Sequence, residues 1–82
     1  MTEKTINISA SLEARPSALL VQTASKFASN IYLQIGDKRV NAKSIMGIIS
    51  LGIIDGQTIT VKADGLDELK AAEELEQFLI RL

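Results

Sequence analysis

The sequence predicts an α+β fold: one antiparallel sheet of four short strands, covered on one face by three helices. Three observations carry that expectation. Four short segments alternate apolar and polar residues, and helical periodicity fills the gaps and the C-terminal end. The turn pairs Gly36-Asp37, Asp55-Gly56 and Asp64-Gly65 punctuate the chain. Elements in the order strand, helix, strand, strand, short helix, strand, helix suit a two-layer sandwich.

Residues 5–9 alternate with Ile6 and Ile8 on one side and read as a half-buried strand. Residues 14–27 read as a helix. Pro16 fits its first turn, where the N–H that proline lacks would find no partner anyway. Leu20, Ala24 and Phe27 then form a stripe toward the core, while Ala14, Ala18 and Val21 lie on another face, open to a partner or simply good helix formers. Ile31, Leu33 and Ile35 alternate, Gly36-Asp37 turns the chain, and residues 38–41 pair back around Val40 as a hairpin. Residues 44–50 read as a brief helix, capped by Ser44 and ended by Gly52. Residues 58–63 place Ile59, Val61 and Ala63 on one side of a fourth strand. In the last segment Leu66, Leu69, Ala72, Leu75, Phe78, Leu79 and Leu82 recur at helical spacing. Asp67 and Glu68 in its first turn, and Arg81 in its last, complement the helix dipole.

Composition bounds the function. The 82 residues form a single domain, 1–82, and 46% apolar content supplies its core. A chain this short buries roughly 60–65% of its unfolded surface. A net charge of -1 gives no basic patch for nucleic acid, and Phe27, Tyr32 and Phe78 are the only aromatics available for base stacking. The absence of cysteine excludes disulfides, thiolate catalysis and thiolate metal sites; the absence of histidine excludes imidazole catalysis and nearly every zinc geometry. No cofactor or metal is expected. Neither a signal peptide nor an apolar run of ~20 residues is present, so a cytoplasmic domain with no membrane partner is the expectation.

Two stretches carry candidate chemistry, residues 11–17 and 41–52. As a helix N-cap, Ser44 accepts from the free N–H of Met46 or Gly47, and this is the plain reading of such a serine. A phosphate there would gain from the positive helix end, with Lys43 adjacent. Ile45, Met46, Ile48, Ile49 and Leu51 crowd a segment too short to bury them all, and the surplus makes an apolar contact patch beside the serine. Glu13 and Arg15 flank the start of the first helix. Taken plainly they are a dipole-complementing acid and a solvated arginine. As a general acid–base site they lack both a second group and a pocket, so no catalytic residue is assigned.

Residues 11–17, Ser-Leu-Glu-Ala-Arg-Pro-Ser, resemble the active-site segment of the HPr family of phosphocarriers, usually Gly-Ile/Leu-His-Ala-Arg-Pro-Ala. Ser11, Glu13 and Ser17 depart from that pattern. Residues 21–26 and 41–52 match the rest closely, so the resemblance spans nearly the whole chain and implies the family's open-faced βαββαβα sandwich. In that family the histidine, here Glu13, accepts phosphate from enzyme I and passes it to sugar-specific enzyme II proteins. A carboxylate is anionic where imidazole is a neutral nucleophile, and it would have to form an acyl phosphate, so the resemblance implies loss of the carrier role. It also implies that Ser44 is phosphorylated by the ATP-dependent HPr kinase/phosphorylase, and that the product is corepressor for catabolite control protein A, a LacI-type repressor. Members without the histidine that keep this serine form the Crh group, and the chain looks like one. By the same resemblance Arg15, Ser44, Ile45, Met46 and Ile49 are partner-binding positions. Ile49 stands where many members have methionine, and Glu13 where the Crh group commonly has glutamine. Two other roles for Glu13 compete with this: an unusual phosphoryl acceptor, or a fixed mimic of phosphohistidine.

Overall fold

The computed structural model describes all 82 residues. Seven elements follow in the predicted order: β1 (Thr2–Asn7), α1 (Ala14–Ser25), β2 (Asn30–Ile35), β3 (Lys38–Asn41), α2 (Ile45–Leu51), β4 (Thr58–Asp64) and α3 (Glu68–Ile80). The sheet order is β1-β4-β2-β3 and every pairing is antiparallel. Strand β4 is central, and its alternation decides the layering. Ile59, Val61 and Ala63 are buried; they stand opposite Ile6 on β1 and Leu33 and Ile31 on β2.

Onto this face pack Leu20 and Ala24 of α1, Ile48 and Leu51 of α2, and Ala71, Ala72, Leu75 and Leu79 of α3. Each large apolar side chain removed from water contributes about 1.5–3 kcal/mol. Small residues at Ala24, Ala71 and Ala72 let the helix backbones come close. The opposite sheet face is polar, with Arg39 stacked 4.8 Å from the Tyr32 ring centre. No helix is long and apolar enough to cross a membrane.

Several expectations are corrected. Strand β1 covers Thr2–Asn7 rather than residues 5–9, because its helix-facing positions continue as Thr2 and Lys4, which carry no apolar signal. Both are engaged by α3: the Thr2 hydroxyl donates to Glu68 at 2.6 Å, and Lys4 lies 3.7 Å from Glu76. Ile8 stays buried beyond the strand end, joined to the β4 approach by bonds from its N–H to Gln57 and from Gly56 to its carbonyl. Helix α1 stops at Ser25, although Phe27 still reaches the core. Leu66 and Leu69, expected in the core stripe of α3, are fully and largely exposed, because that helix begins only at Glu68 and buries the face carrying Ala71, Ala72, Leu75 and Leu79. Arg81 is the C-terminal cap residue, just beyond the last turn.

Asp67 does not cap its own helix. Its carboxylate accepts from the Ser29 hydroxyl and from the backbone N–H groups of Ala28 and Ser29, both at 2.9 Å, so it latches the α1–β2 turn to the β4–α3 turn. Gly65 makes the close approach possible: a Cβ there would sit 2.7 Å from Ser29 Cα. These bonds, led by the Ser29 hydroxyl, hold the Asp67 carboxyl below its ordinary value. A lowered folded value means that the latch contributes fully above the ordinary aspartate range of about pH 4 and is lost as pH falls through the folded value. Thermal melting between pH 2 and 6 is therefore expected to show Asp67→Asn less stable than the wild type at pH 6, the gap narrowing as the solution is acidified.

Candidate functional site

Helix α1 starts at Ala14, so Glu13 is its N-cap residue and Pro16 its third residue. An N-cap side chain accepts from the second or third helical N–H, and here the third is proline and has none. The Glu13 side chain makes no cap bond and points out as an exposed carboxylate. Its carbonyl is doubly used instead, accepting from the Ser17 N–H at 2.9 Å and the Ser17 hydroxyl at 2.8 Å. Ser17 is thereby satisfied although buried. Arg15 is exposed on the first turn and forms no ion pair.

Helix α2 is capped as expected. The Ser44 backbone is extended, its hydroxyl oxygen accepts from the Gly47 N–H at 3.2 Å, and its carbonyl accepts from Ile48 at 3.0 Å. Gly52 closes the other end in the left-handed region, φ 66°. Between the caps only Ile48 and Leu51 are buried. Met46 is 70% exposed and Ile49 55%, and Ile45 is also exposed. The apolar patch beside Ser44 is therefore present on the surface.

Two features differ from expectation. A groove of about 240 Å³ exists where no pocket was anticipated: Leu12, Glu13 and Ser17 line one side, Ile48, Ile49 and Ile53 the other. It joins the two candidate stretches through Glu13 and Ile49, but Glu13 is its only titratable residue and Arg15 is not among its walls. Acid–base catalysis requires a second positioned group, and the groove offers none. Lys43 is the other departure. Its ammonium does not stand free beside Ser44; it donates at 2.7 Å to the carbonyl of Phe27, just past the end of α1. Sequence spacing carries no signal for that bond, which spans sixteen positions.

The family model for the PTS HPr component phosphorylation site matches residues 2–81. The chain belongs to the HPr family. It is 47% identical over 81 residues to the HPr-like protein Crh of Halalkalibacterium halodurans, covering 96% of each chain. Among solved structures it is similar to HPr-C-His from Thermoanaerobacter tengcongensis, with TM-score 0.90 and 48% identity over 98% of this chain and 92% of that one. It is also similar to Crh, the Bacillus subtilis catabolite repression protein, with TM-score 0.82 and 42% identity over 93% and 87% of the two chains. Within the HPr family the chain is of the Crh type, and it contains no histidine. The open-faced sandwich and its element order are those of the family.

Because Glu13 is exposed and caps nothing, Glu13→Gln is expected to shift folding stability by no more than about 0.5 kcal/mol, as for an ordinary surface position. Urea denaturation of the two proteins at pH 7 measures it.

Proposed function

We propose that this protein is a regulator of carbon catabolite repression, phosphorylated on Ser44 by HPr kinase/phosphorylase and then bound by catabolite control protein A. The observation that carries the reading is the surface around Ser44: a half-buried hydroxyl at a helix cap, rimmed by exposed Ile45, Met46 and Ile49. Apolar residues of this size beside a polar focus are what a recognition surface requires, and methionine adapts well to a partner. Lys43 spends one N–H on the Phe27 carbonyl, and its single charge cannot balance a phosphate by itself. The added charge of about -1.5 to -2 is then met by cations of the partner and by Arg15. Two proteins similar to this chain are named Crh, and one is described as a catabolite repression protein.

Glu13 removes the family's other activity. A carboxylate repels the phosphorylated donor, and the groove beside it supplies no second titratable group. The carrier reading predicts radiolabel on Glu13 from enzyme I and phosphoenolpyruvate; none is expected.

Incubation with HPr kinase/phosphorylase and ATP is expected to add one phosphate by mass, and Ser44→Ala to remain unmodified. An unmodified wild-type protein, under conditions that phosphorylate an authentic HPr, sinks the proposal. Met46→Ala is expected to weaken binding of the phosphorylated protein to the repressor about five- to thirtyfold, the loss of one central apolar contact. Calorimetric titration reads that change.

A further inference from the structure

We infer that Gly47 is a positioning residue for phosphoryl transfer to Ser44, holding the hydroxyl by its N–H while leaving open the space beside it. The inference rests on the Ser44 reading above. Gly47 is the third residue of α2 and has no positive φ, so its backbone does not call for glycine. Inside a helix, glycine is less favourable than alanine, so the absence of a side chain here needs another cause. A Cβ at this position would lie 3.4 Å from Ser44 Oγ, 3.3 Å from Val40 Cβ and 3.5 Å from the Asn41 carbonyl.

The contact with Oγ bears on the reaction. Ser44 Oγ uses one lone pair to accept from the Gly47 N–H at 3.2 Å. In the transfer its other lone pair attacks the γ-phosphorus of the nucleoside triphosphate. The Oγ–P bond forms as the bond from that phosphorus to the bridging oxygen breaks, the nucleoside diphosphate leaves, and the hydroxyl proton passes to a base of the kinase. Three phosphoryl oxygens then crowd the volume around Oγ. A methyl group in van der Waals contact with the nucleophile takes part of that volume. The effect is confined to the transition state and product, where the added atoms are present, and so falls on kcat rather than KM.

The competing explanation is steric: glycine is needed only to clear Val40. Two variants separate the two, both checked for native circular dichroism and a cooperative melt. Gly47→Ala is expected to lower kcat for phosphorylation by HPr kinase/phosphorylase and ATP about tenfold or more, with KM for the protein changed little. In Val40→Gly/Gly47→Ala the 3.3 Å contact disappears with the Val40 Cβ while the methyl stays beside Oγ, and kcat is expected to remain low. A wild-type kcat in Gly47→Ala overturns the inference, as does full recovery in the double variant. Loss of phosphorylation in the wild type is a different result: it removes the Ser44 reading itself, and Gly47 with it.

Discussion

A helix of seven residues cannot turn five large apolar side chains toward one core, and the surface of this protein follows from that limit. The caps at Ser44 and Gly52 prevent α2 from lengthening at either end. Against α1 and β3 it can present only one stripe, and Ile48 and Leu51 occupy it. Ile45, Met46 and Ile49 are left facing solvent. The area each keeps in water forgoes part of the about 1.5–3 kcal/mol that full burial of such a side chain contributes, which matters in a domain this small. The patch is a consequence of how short the helix is, and the serine that sets the length stands at its edge.

The start of α1 shows the converse, a place where backbone chemistry survives the exchange of a side chain. Pro16 at the third helical position removes one of the two N–H groups an N-cap side chain can use, and Glu13 does not bond to the other. Glu13 therefore projects freely, as a phosphoryl acceptor at the same point would have to. Its carbonyl, gripped twice by Ser17, keeps the turn rigid. The turn is thus fixed by backbone and Ser17 alone, and the side chain at 13 is free to be a carboxylate with one charge and two acceptor oxygens.

Where residues declare themselves by periodicity, the fold was legible in the sequence. Strands β2, β3 and β4, the cap at Ser44 and the stop at Gly52 all stand within a residue of expectation, because alternation, turn pairs and caps are local signals. Misplaced elements had their cause at a distance. Thr2 and Lys4 are strand residues on the core side, but their partners are Glu68 and Glu76, more than sixty positions away. Leu66 and Leu69 continue the helical spacing of α3 in sequence, yet Asp67 is drawn off to Ser29 and the helix starts after it. The groove beside Glu13 belongs to the same class, being made by two helices whose separation no spacing rule records. For the candidate site this meant that the residues were readable, whereas the commitment of Lys43 to Phe27 was not.

That commitment bears on how such a site would be read. A phosphate neutralised within its own loop would change the protein's shape more than its surface charge. With one lysine in the loop, its ammonium bonded to the end of α1, a phosphate of about two charges on Ser44 would leave net negative charge on display next to three exposed apolar side chains. A partner must then match both features at once, cations for the phosphate and a hollow for Met46 and its neighbours. Charge alone would attract many basic proteins, and the apolar patch alone would be occupied with or without phosphate. Requiring the two together makes binding conditional on modification without any rearrangement of the fold. Glu13, a single exposed charge on the wall of the groove that Ile49 also lines, lacks the number and geometry of acceptor oxygens to satisfy that requirement on its own.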